Sequence, residues 1–379
     1  MKTKKVPPAI SFTTPKEVKD SGYMASAESI IYGSYVKMER LNPIVFDCFS
    51  NTSIATATHL NVFIDLYSVL HSIFSSKYRT QVPNPTVITP ALINMCAHYR
   101  SFFKSLGVHT TFYIIYSANT CDMNEKFVFG YNAKFKEKTN INMFKKITND
   151  NFELLKVLCP YLPDIHFVRS FRNYEVAVII ADIIEKLKDG QPNLIISKDL
   201  YPLQLCYLYP YTSYLYPRKS RIGGDMSIMV PIIEKTEEFR YQFWNIVAER
   251  RSIKPNSLYS ISPLNFTIFS ALHRFPEREI YPLVKTATEA VKIIQTIVGS
   301  QDISVFPSQL YNIQEIAELV PVSLVEARYK ALDVKFMLPF YQEDIESKEM
   351  KFENLQDNGT INMINSKYFK ENPIDTMRL

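Results

Sequence analysis

Leu60-Asn61-Val62-Phe63-Ile64-Asp65-Leu66 is a short, almost continuous apolar run that contains one acidic residue near its end. A run of this length is typical of a strand that is buried on both faces of a parallel sheet. Three further apolar runs follow at 110–115, 165–168 and 193–197. These four stretches predict four strands of one parallel sheet.

Helical sequence separates the predicted strands. Residues 90–106 are expected to form one helix, and Asn173 is expected to cap another that runs through Lys186. Apolar residues recur there at helical spacing: Val176, Ile179, Ile180, Ile183, Ile184 and Leu187. Strands that alternate with helices predict a doubly wound, mostly parallel α/β sheet with right-handed crossovers.

The chain is expected to have four parts. Residues 1–57 are polar and rich in Pro, Ser and Thr, which predicts an N-terminal extension that wraps the domain or meets a partner. Residues 58–232 form the α/β core, with a lysine-rich insertion at 119–150. Residues 233–340 are mostly helical, and 341–379 are expected to be a polar, loosely ordered tail.

Composition indicates a well-packed globular protein rather than a disordered one. The 379 residues are 46% hydrophobic, with 24 Tyr, 25 Phe and only 9 Gly. A net charge of +5 allows a local nucleic-acid-binding surface without establishing one. With no secretory signal and no run long enough to span a membrane, we expect a soluble intracellular protein.

Cysteines and histidines do not form recognisable motifs. The five cysteines lie far apart without a Cys-x-x-Cys pair, which predicts reduced, mostly buried thiols. The six histidines are equally dispersed, so their spacing predicts no zinc site.

Three acids are expected at the carboxyl edge of the sheet, where α/β proteins bind ligands. Asp65 closes the first strand, Glu175 opens the helix after the third, and Asp199 follows the fourth. Together they are candidate catalytic residues and candidate ligands for Mg²⁺ or Mn²⁺, since hard cations prefer oxygen donors. The alternative is that all three are ordinary helix-capping and loop acids.

Three segments resemble the core motifs of flap endonucleases, a PIN-like superfamily, and most of all the phage 5′-nucleases, including the phage ribonuclease H type. They are Phe63–Ser68, Asn173–Ala181 and Ile195–Leu205, and they occur in the family's order within about 58–230. The resemblance implies a metal-dependent nuclease fold with a basic arch between the second and third strands. The alternative is a chance match in an unrelated α/β protein.

Several positions depart from the family pattern, which has acids where this chain has aromatic or apolar residues. The departures are Tyr116 after the second strand, Ala177 and Val178 in the helix, and Tyr201 after the fourth strand. A two-metal mechanism needs a cluster of carboxylates. The resemblance therefore implies a degenerate site that holds no metal ion, or only one.

Two basic segments are candidates for nucleic-acid binding, because lysines neutralise phosphates and aromatic rings stack on bases. The arch-like insertion contributes Tyr131, Lys134, Lys136 and Lys138, of which Tyr131 and Lys134 resemble arch contacts of the family. The alternative there is a solvated insertion with mixed charges.

The second segment is a predicted hairpin tip with Arg218, Lys219 and Arg221. The alternative is a turn that its charges keep soluble.

Two functions follow from the sequence. The first is a pseudo-nuclease that binds nucleic acid or serves as a structural component of an assembly, in a phage, virion or host cytoplasm. Its protein partners would meet the N-terminal extension and the C-terminal region. The second is a reduced, single-metal nuclease for single-stranded or flapped DNA or RNA.

Overall fold

The computed structural model describes most of the chain from residue 57 onward. The described residues are 57–66, 85–117, 122–128, 131, 153–169, 174–188, 190–217, 226–229, 237–275, 280–299, 301–345, 358–369 and 374.

A six-stranded sheet forms the centre of the molecule, with the strand order β3-β2-β1-β4-β5-β6. Its strands are β1 His59–Asp65, β2 His109–Tyr116, β3 Ile165–Arg169, β4 Asn193–Ile196, β5 Thr212–Pro217 and β6 Met226–Met229. The first five pair in parallel, and β6 pairs antiparallel with β5. The prediction of a doubly wound, mostly parallel sheet is confirmed, with each of the first four strands within one residue of its expected bounds.

Helices connect the strands and form the C-terminal part of the molecule. In the α/β part they are α1 Pro85–Ser105, α2 Asp122–Glu125, α3 Val176–Leu187 and α4 Leu205–Leu208. A helical turn at 153–158 and a 3₁₀ turn at Cys159–Tyr161 precede β3, and a 3₁₀ turn at Tyr201–Gln204 leads into α4.

The C-terminal part confirms the prediction of a mostly helical region. Its helices are α5 Glu237–Arg251, α6 Phe266–Leu272, α7 Ala287–Val298, α8 Pro307–Leu310, α9 Gln314–Leu319, α10 Val322–Leu332, α11 Val334–Ile345 and α12 Asn358–Tyr368. Within the described residues, no helix combines the length and the apolar character needed to cross a membrane.

Two helix starts differ from the sequence prediction. Helix α1 begins at Pro85, five residues before the expected start, and contains Pro90 in its interior. The N-cap of α3 is Glu175 rather than Asn173, which lies outside the described residues. The side chain of Glu175 makes no capping hydrogen bond, because it is engaged elsewhere.

The two faces of the sheet carry separate hydrophobic cores, as the period of two along a strand requires. On one face Phe63, Tyr113 and Ile195 pack with α3 and with the C-terminal helices, including Trp244 and Met337. The C-terminal helical region is therefore continuous with the core of the sheet on this face.

The opposite face packs against α1 and against residues near the C-terminus. Val62, Ile64 and Phe112 lie in this second core together with Ile361 of α12 and Phe369. Residues 358–369 thus include a packed helix within a segment for which a loosely ordered tail was predicted. The division of the whole chain into four parts stays a prediction.

Buried thiols occur in both cores. Cys96, Cys159 and Cys206 are free and buried, and burial raises the pKa of the Cys96 thiol to about 12. The prediction of reduced, buried cysteines is confirmed for these three. Cys48 and Cys121 lie outside the described residues.

Candidate acidic site at the carboxyl edge

Asp65 and Asp199 meet at the carboxyl edge of the sheet through one serine. The Ser197 hydroxyl, just after β4, donates to Oδ2 of Asp65 at 2.7 Å. The backbone N–H of Asp199 donates to Oγ of Ser197 at 3.0 Å. Asp65 is only 2% exposed and Ser197 is fully buried. Two of the predicted acids therefore belong to one hydrogen-bonded unit.

Asp199 also shapes the chain that follows β4. Its Oδ1 accepts a hydrogen bond from the backbone N–H of Tyr201 at 3.1 Å, which forms an Asx-turn into the 3₁₀ segment. Its backbone carbonyl accepts a hydrogen bond from the Tyr214 hydroxyl on β5. These contacts fit the alternative in which Asp199 is a loop acid that stabilises a turn.

Glu175 lies at the same edge, beside the end of β2. Ser117 directly follows β2, and its hydroxyl donates a hydrogen bond to the backbone carbonyl of Tyr174. Glu175 is 5% exposed, and its Oε1 accepts a hydrogen bond from the Tyr131 hydroxyl at 2.8 Å. A buried carboxylate needs such partners, because an unpaired buried charge costs much free energy.

The position of Tyr131 corrects one sequence prediction. Its side chain is fully buried, so in this structure the ring is not exposed to stack on a base. Its hydroxyl instead supports Glu175. The other candidate nucleic-acid contacts lie outside the described residues: Lys134, Lys136, Lys138, Arg218, Lys219 and Arg221.

The positions that depart from the family pattern are all buried. Ala177 and Val178 are fully buried in the core shared with the C-terminal helices. Tyr116 is 6% exposed and lies in the opposite core, where burial raises the pKa of its hydroxyl although nearby Arg169 opposes this.

Tyr201 is fully buried and joins the turn after β4 to the C-terminal helices. Its ring stacks on that of Phe275, with 6.4 Å between ring centroids, and its hydroxyl donates to the carbonyl of Ala331 at 3.3 Å. The same carbonyl accepts a hydrogen bond from the amide of Asn124 at 2.6 Å. The residue in the place of a family aspartate is thus an interior packing residue.

Gln204 makes a second link between these regions. Its Nε2 donates to the carbonyls of Tyr201 and Leu332, at 3.0 and 3.1 Å. Its Oε1 accepts from the backbone N–H of Val334 at 3.1 Å. Sequence reasoning places Gln204 within the third motif but gives it no role, since its partners in the C-terminal helices lie about 130 residues away.

The carboxylates at this edge are the candidate ligands for the metal ion that the resemblance implies. Over the parts of the chain that are described, no three His, Cys, Asp or Glu side chains form a group that could hold a metal ion. Ser197 links Asp65 to Asp199, but on the Asp199 side the link is to the backbone N–H and not to the carboxylate. Asp65, Glu175 and Asp199 carry the oxygen donors that a hard cation prefers, whereas Ala177, Val178 and Tyr201 offer no carboxylate for a second cation.

Comparison with known proteins finds similarity in structure alone. No family model and no curated protein matches this chain. Among solved structures, the phage T5 5′-exonuclease with bound zinc has a TM-score of 0.44 at 13% identity, covering 76% of this chain and 98% of that chain. The T5 D15 protein crystallised with metal ions has a TM-score of 0.48 at 12% identity, with the same coverage.

A third solved structure is a complex of the T5 D15 flap endonuclease with DNA and metal ions, with a TM-score of 0.42 at 13% identity over the same shares of both chains. At such identities the likeness concerns the fold and does not extend to activity, metal or substrate.

Proposed function

We propose that this chain is a catalytically degenerate protein with a flap-endonuclease-like fold, which binds nucleic acid or a protein assembly and does not cleave phosphodiesters. The observation that carries the proposal is Tyr201, whose side chain fills the interior where the family motif has an aspartate. We place it in a phage, virion or host cytoplasm, as expected from the sequence.

The burial of the substituted positions supports the loss of a second metal site. Ala177, Val178 and Tyr201 are each fully buried. A two-metal mechanism holds its ions about 4 Å apart between several carboxylates. Apolar and aromatic side chains packed into the core cannot supply such donors.

The surviving acids have contacts that stabilise the fold. Ser197 donates to Asp65, Tyr131 donates to Glu175, and Asp199 caps a turn. Each carboxylate therefore accepts a hydrogen bond that stabilises the fold without a metal ion. Acid residues kept for hydrogen bonding are compatible with a protein that has lost catalysis.

We assign the binding role to the basic insertion at 119–150, to the hairpin tip at 218–221 and to the parts of the chain outside the α/β core. Lys134, Lys136 and Lys138 are the proposed nucleic-acid contacts, with Arg218, Lys219 and Arg221 as a second set. Residues 1–57 and the C-terminal helices are the proposed protein-binding surfaces.

Cleavage and binding assays test the proposal. Labelled flap, single-stranded and RNA–DNA hybrid substrates are incubated with Mg²⁺ or Mn²⁺, and we expect no cleavage above that of Asp65→Ala. Glu315→Ala, which removes an exposed acid on α9, is the matched control. Cleavage that needs the metal ion, is lost in Asp65→Ala and is kept in Glu315→Ala would refute catalytic degeneracy.

Binding is measured by titration at about 50 and 200 mM salt, because phosphate contacts make affinity fall steeply with salt. Replacing Lys134, Lys136 and Lys138 by Ala is expected to lower the salt slope by about one for each phosphate that a lysine no longer neutralises. A slope unchanged by these substitutions would contradict the proposed contacts.

A single-metal nuclease is the second candidate, and the Asp65–Ser197–Asp199 unit is the observation that favours it. There Asp65 and Asp199 would hold one Mg²⁺ or Mn²⁺, which lowers the pKa of a bound water. Glu175 would act as a further ligand or as a base. The cleavage assay above decides between the two candidates.

A further inference from the structure

Two histidines meet at the amino edge of the sheet, opposite the acids. His59 and His109 are the first residues of β1 and β2 and are paired in the parallel register. Their Nδ1 atoms are 3.2 Å apart, whereas their ring centroids are 5.2 Å apart. Because the nitrogens are much closer than the ring centres, the two Nδ1 atoms face each other.

Asp164 fixes the orientation of one of these rings. Its Oδ2 lies 3.3 Å from Nε2 of His109. Asp164 itself is held before β3 in a left-handed turn with φ of 52°, and its carbonyl accepts from the backbone N–H of Phe112 at 2.8 Å. An Nε2–H directed at this carboxylate leaves the Nδ1 lone pair of His109 facing His59.

We propose that His59 and His109 bind one divalent transition-metal ion of the zinc, nickel or copper class through their Nδ1 atoms, with water completing the coordination. Zn–N bonds are about 2.0–2.1 Å, and tetrahedral angles then place two nitrogen ligands about 3.3 Å apart. The observed separation of 3.2 Å meets this requirement with little movement of either ring. Imidazole is a ligand that all three ions accept.

Asp164 completes the arrangement expected of a metal-binding histidine. Such histidines commonly donate their second ring N–H to a carboxylate, which sets the tautomer and strengthens the ligand. Asp164 occupies that place toward His109. His59 and His109 are the first residues of β1 and β2, and Asp164 directly precedes β3.

Metal binding at this pair uses the lone pairs of both Nδ1 atoms, which are in contact with each other without metal. A neutral imidazole carries one ring proton, on either Nδ1 or Nε2. When Nδ1 binds the ion, that proton lies on Nε2, so both rings bind as neutral ligands and no net proton is released. The two imidazole nitrogens replace two waters of the hydrated ion.

The pair is accessible and separate from the acidic site. The side chain of His109 is 59% exposed, so an ion with its waters has room to approach. His59 and Asp65 are the two ends of β1, about 20 Å apart at the rise of a parallel strand. Metal binding here does not depend on the proposed function of the acids.

The test is calorimetric titration of the full chain with ZnCl₂ in a buffer that does not bind zinc. We expect one ion per chain, and at least tenfold weaker binding in both His59→Ala and His109→Ala. His166→Ala, on β3, is the matched control and is expected to bind like the unmodified chain. Asp164→Asn keeps the left-handed turn, which Asn tolerates, and should weaken binding about tenfold.

Cu²⁺ provides a second readout on the unmodified chain, since electron paramagnetic resonance shows nitrogen ligands directly. Two imidazole nitrogens are expected, and one in each histidine variant. The inference is overturned if the unmodified chain binds no Zn²⁺, if either histidine variant binds as tightly as the unmodified chain, or if His166→Ala loses binding equally.

Discussion

The two edges of the central sheet use polar residues in opposite ways. At the carboxyl edge, Asp65 and Glu175 are almost fully buried, and each accepts a hydrogen bond from a neutral side chain. At the amino edge, His59 and His109 contact each other at the surface, with Asp164 behind. A location at the carboxyl edge is therefore not enough to identify a reactive group, because the fold itself can employ acids there.

Tyr201→Asp tests most directly whether the carboxyl edge is a packed interior rather than a cation site. A charge would replace a fully buried ring, so we expect a loss of about 4 kcal/mol or more in the free energy of unfolding. Tyr201→Phe removes only the hydrogen bond to Ala331 and should cost about 1 kcal/mol. Urea unfolding with and without Mg²⁺ measures both, and an aspartate variant that Mg²⁺ restores to full stability would indicate a cation site instead.

Gln204→Met is expected to have the next largest effect. Methionine fills a similar volume but leaves the carbonyl of Leu332 and the N–H of Val334 without their side-chain partner. We expect a cost of about 3 kcal/mol, measured by urea unfolding. Gln314→Met, at an exposed position on α9, is the control and should change stability by less than about 0.5 kcal/mol.

Tyr131→Phe tests whether Glu175 is held by the fold. The substitution removes the hydroxyl that donates to a buried carboxylate, which should lower the free energy of unfolding by about 2 kcal/mol. Tyr241→Phe, at an exposed ring on α5, serves as the matched control. Equal stability of the two variants would show that Glu175 does not need this hydrogen bond.

His59→Ala and His109→Ala should have the smallest effect on stability. Both side chains lie at strand ends near the surface, so each change is expected to stay within about 0.5 kcal/mol by thermal unfolding. Effects this small would show that the histidines at the amino edge contribute less to stability than the buried residues at the carboxyl edge. A loss of stability comparable to that of Tyr131→Phe would mean that the histidine pair also supports the fold.

Much of the sheet could be predicted from the sequence, because apolar runs bounded by polar residues identify buried parallel strands. The run at Leu60–Leu66 and the helical spacing from Val176 to Leu187 indicate the strand and the helix that the structure contains. The predicted Asn173 cap is wrong, because the helix begins at Val176 with Glu175 as its N-cap. The neighbouring Tyr174 carbonyl accepts a hydrogen bond from Ser117, a contact that local cap preference does not encode.

The environments of the candidate residues could not be predicted in the same way. The lysines around Tyr131 in the sequence predict a basic surface, yet its partner Glu175 lies 44 residues away. His59 and His109 are 50 residues apart, and only the register of β1 with β2 brings them together. Such pairs depend on strand order and register, which spacing along the chain does not encode.

The carbonyl of Ala331 has a consequence for the order in which the protein folds on the ribosome. It accepts hydrogen bonds from Asn124 and Tyr201, which precede it by 207 and 130 residues. The sheet is synthesised before α10, so its apolar face with Phe63 and Ile195 is at first covered by α3 without all of the C-terminal helices. Contacts of such high sequence separation slow folding and expose nascent chains to aggregation. We therefore expect nascent chains stalled before residue 331 to associate with chaperones, and completed chains to be released from them.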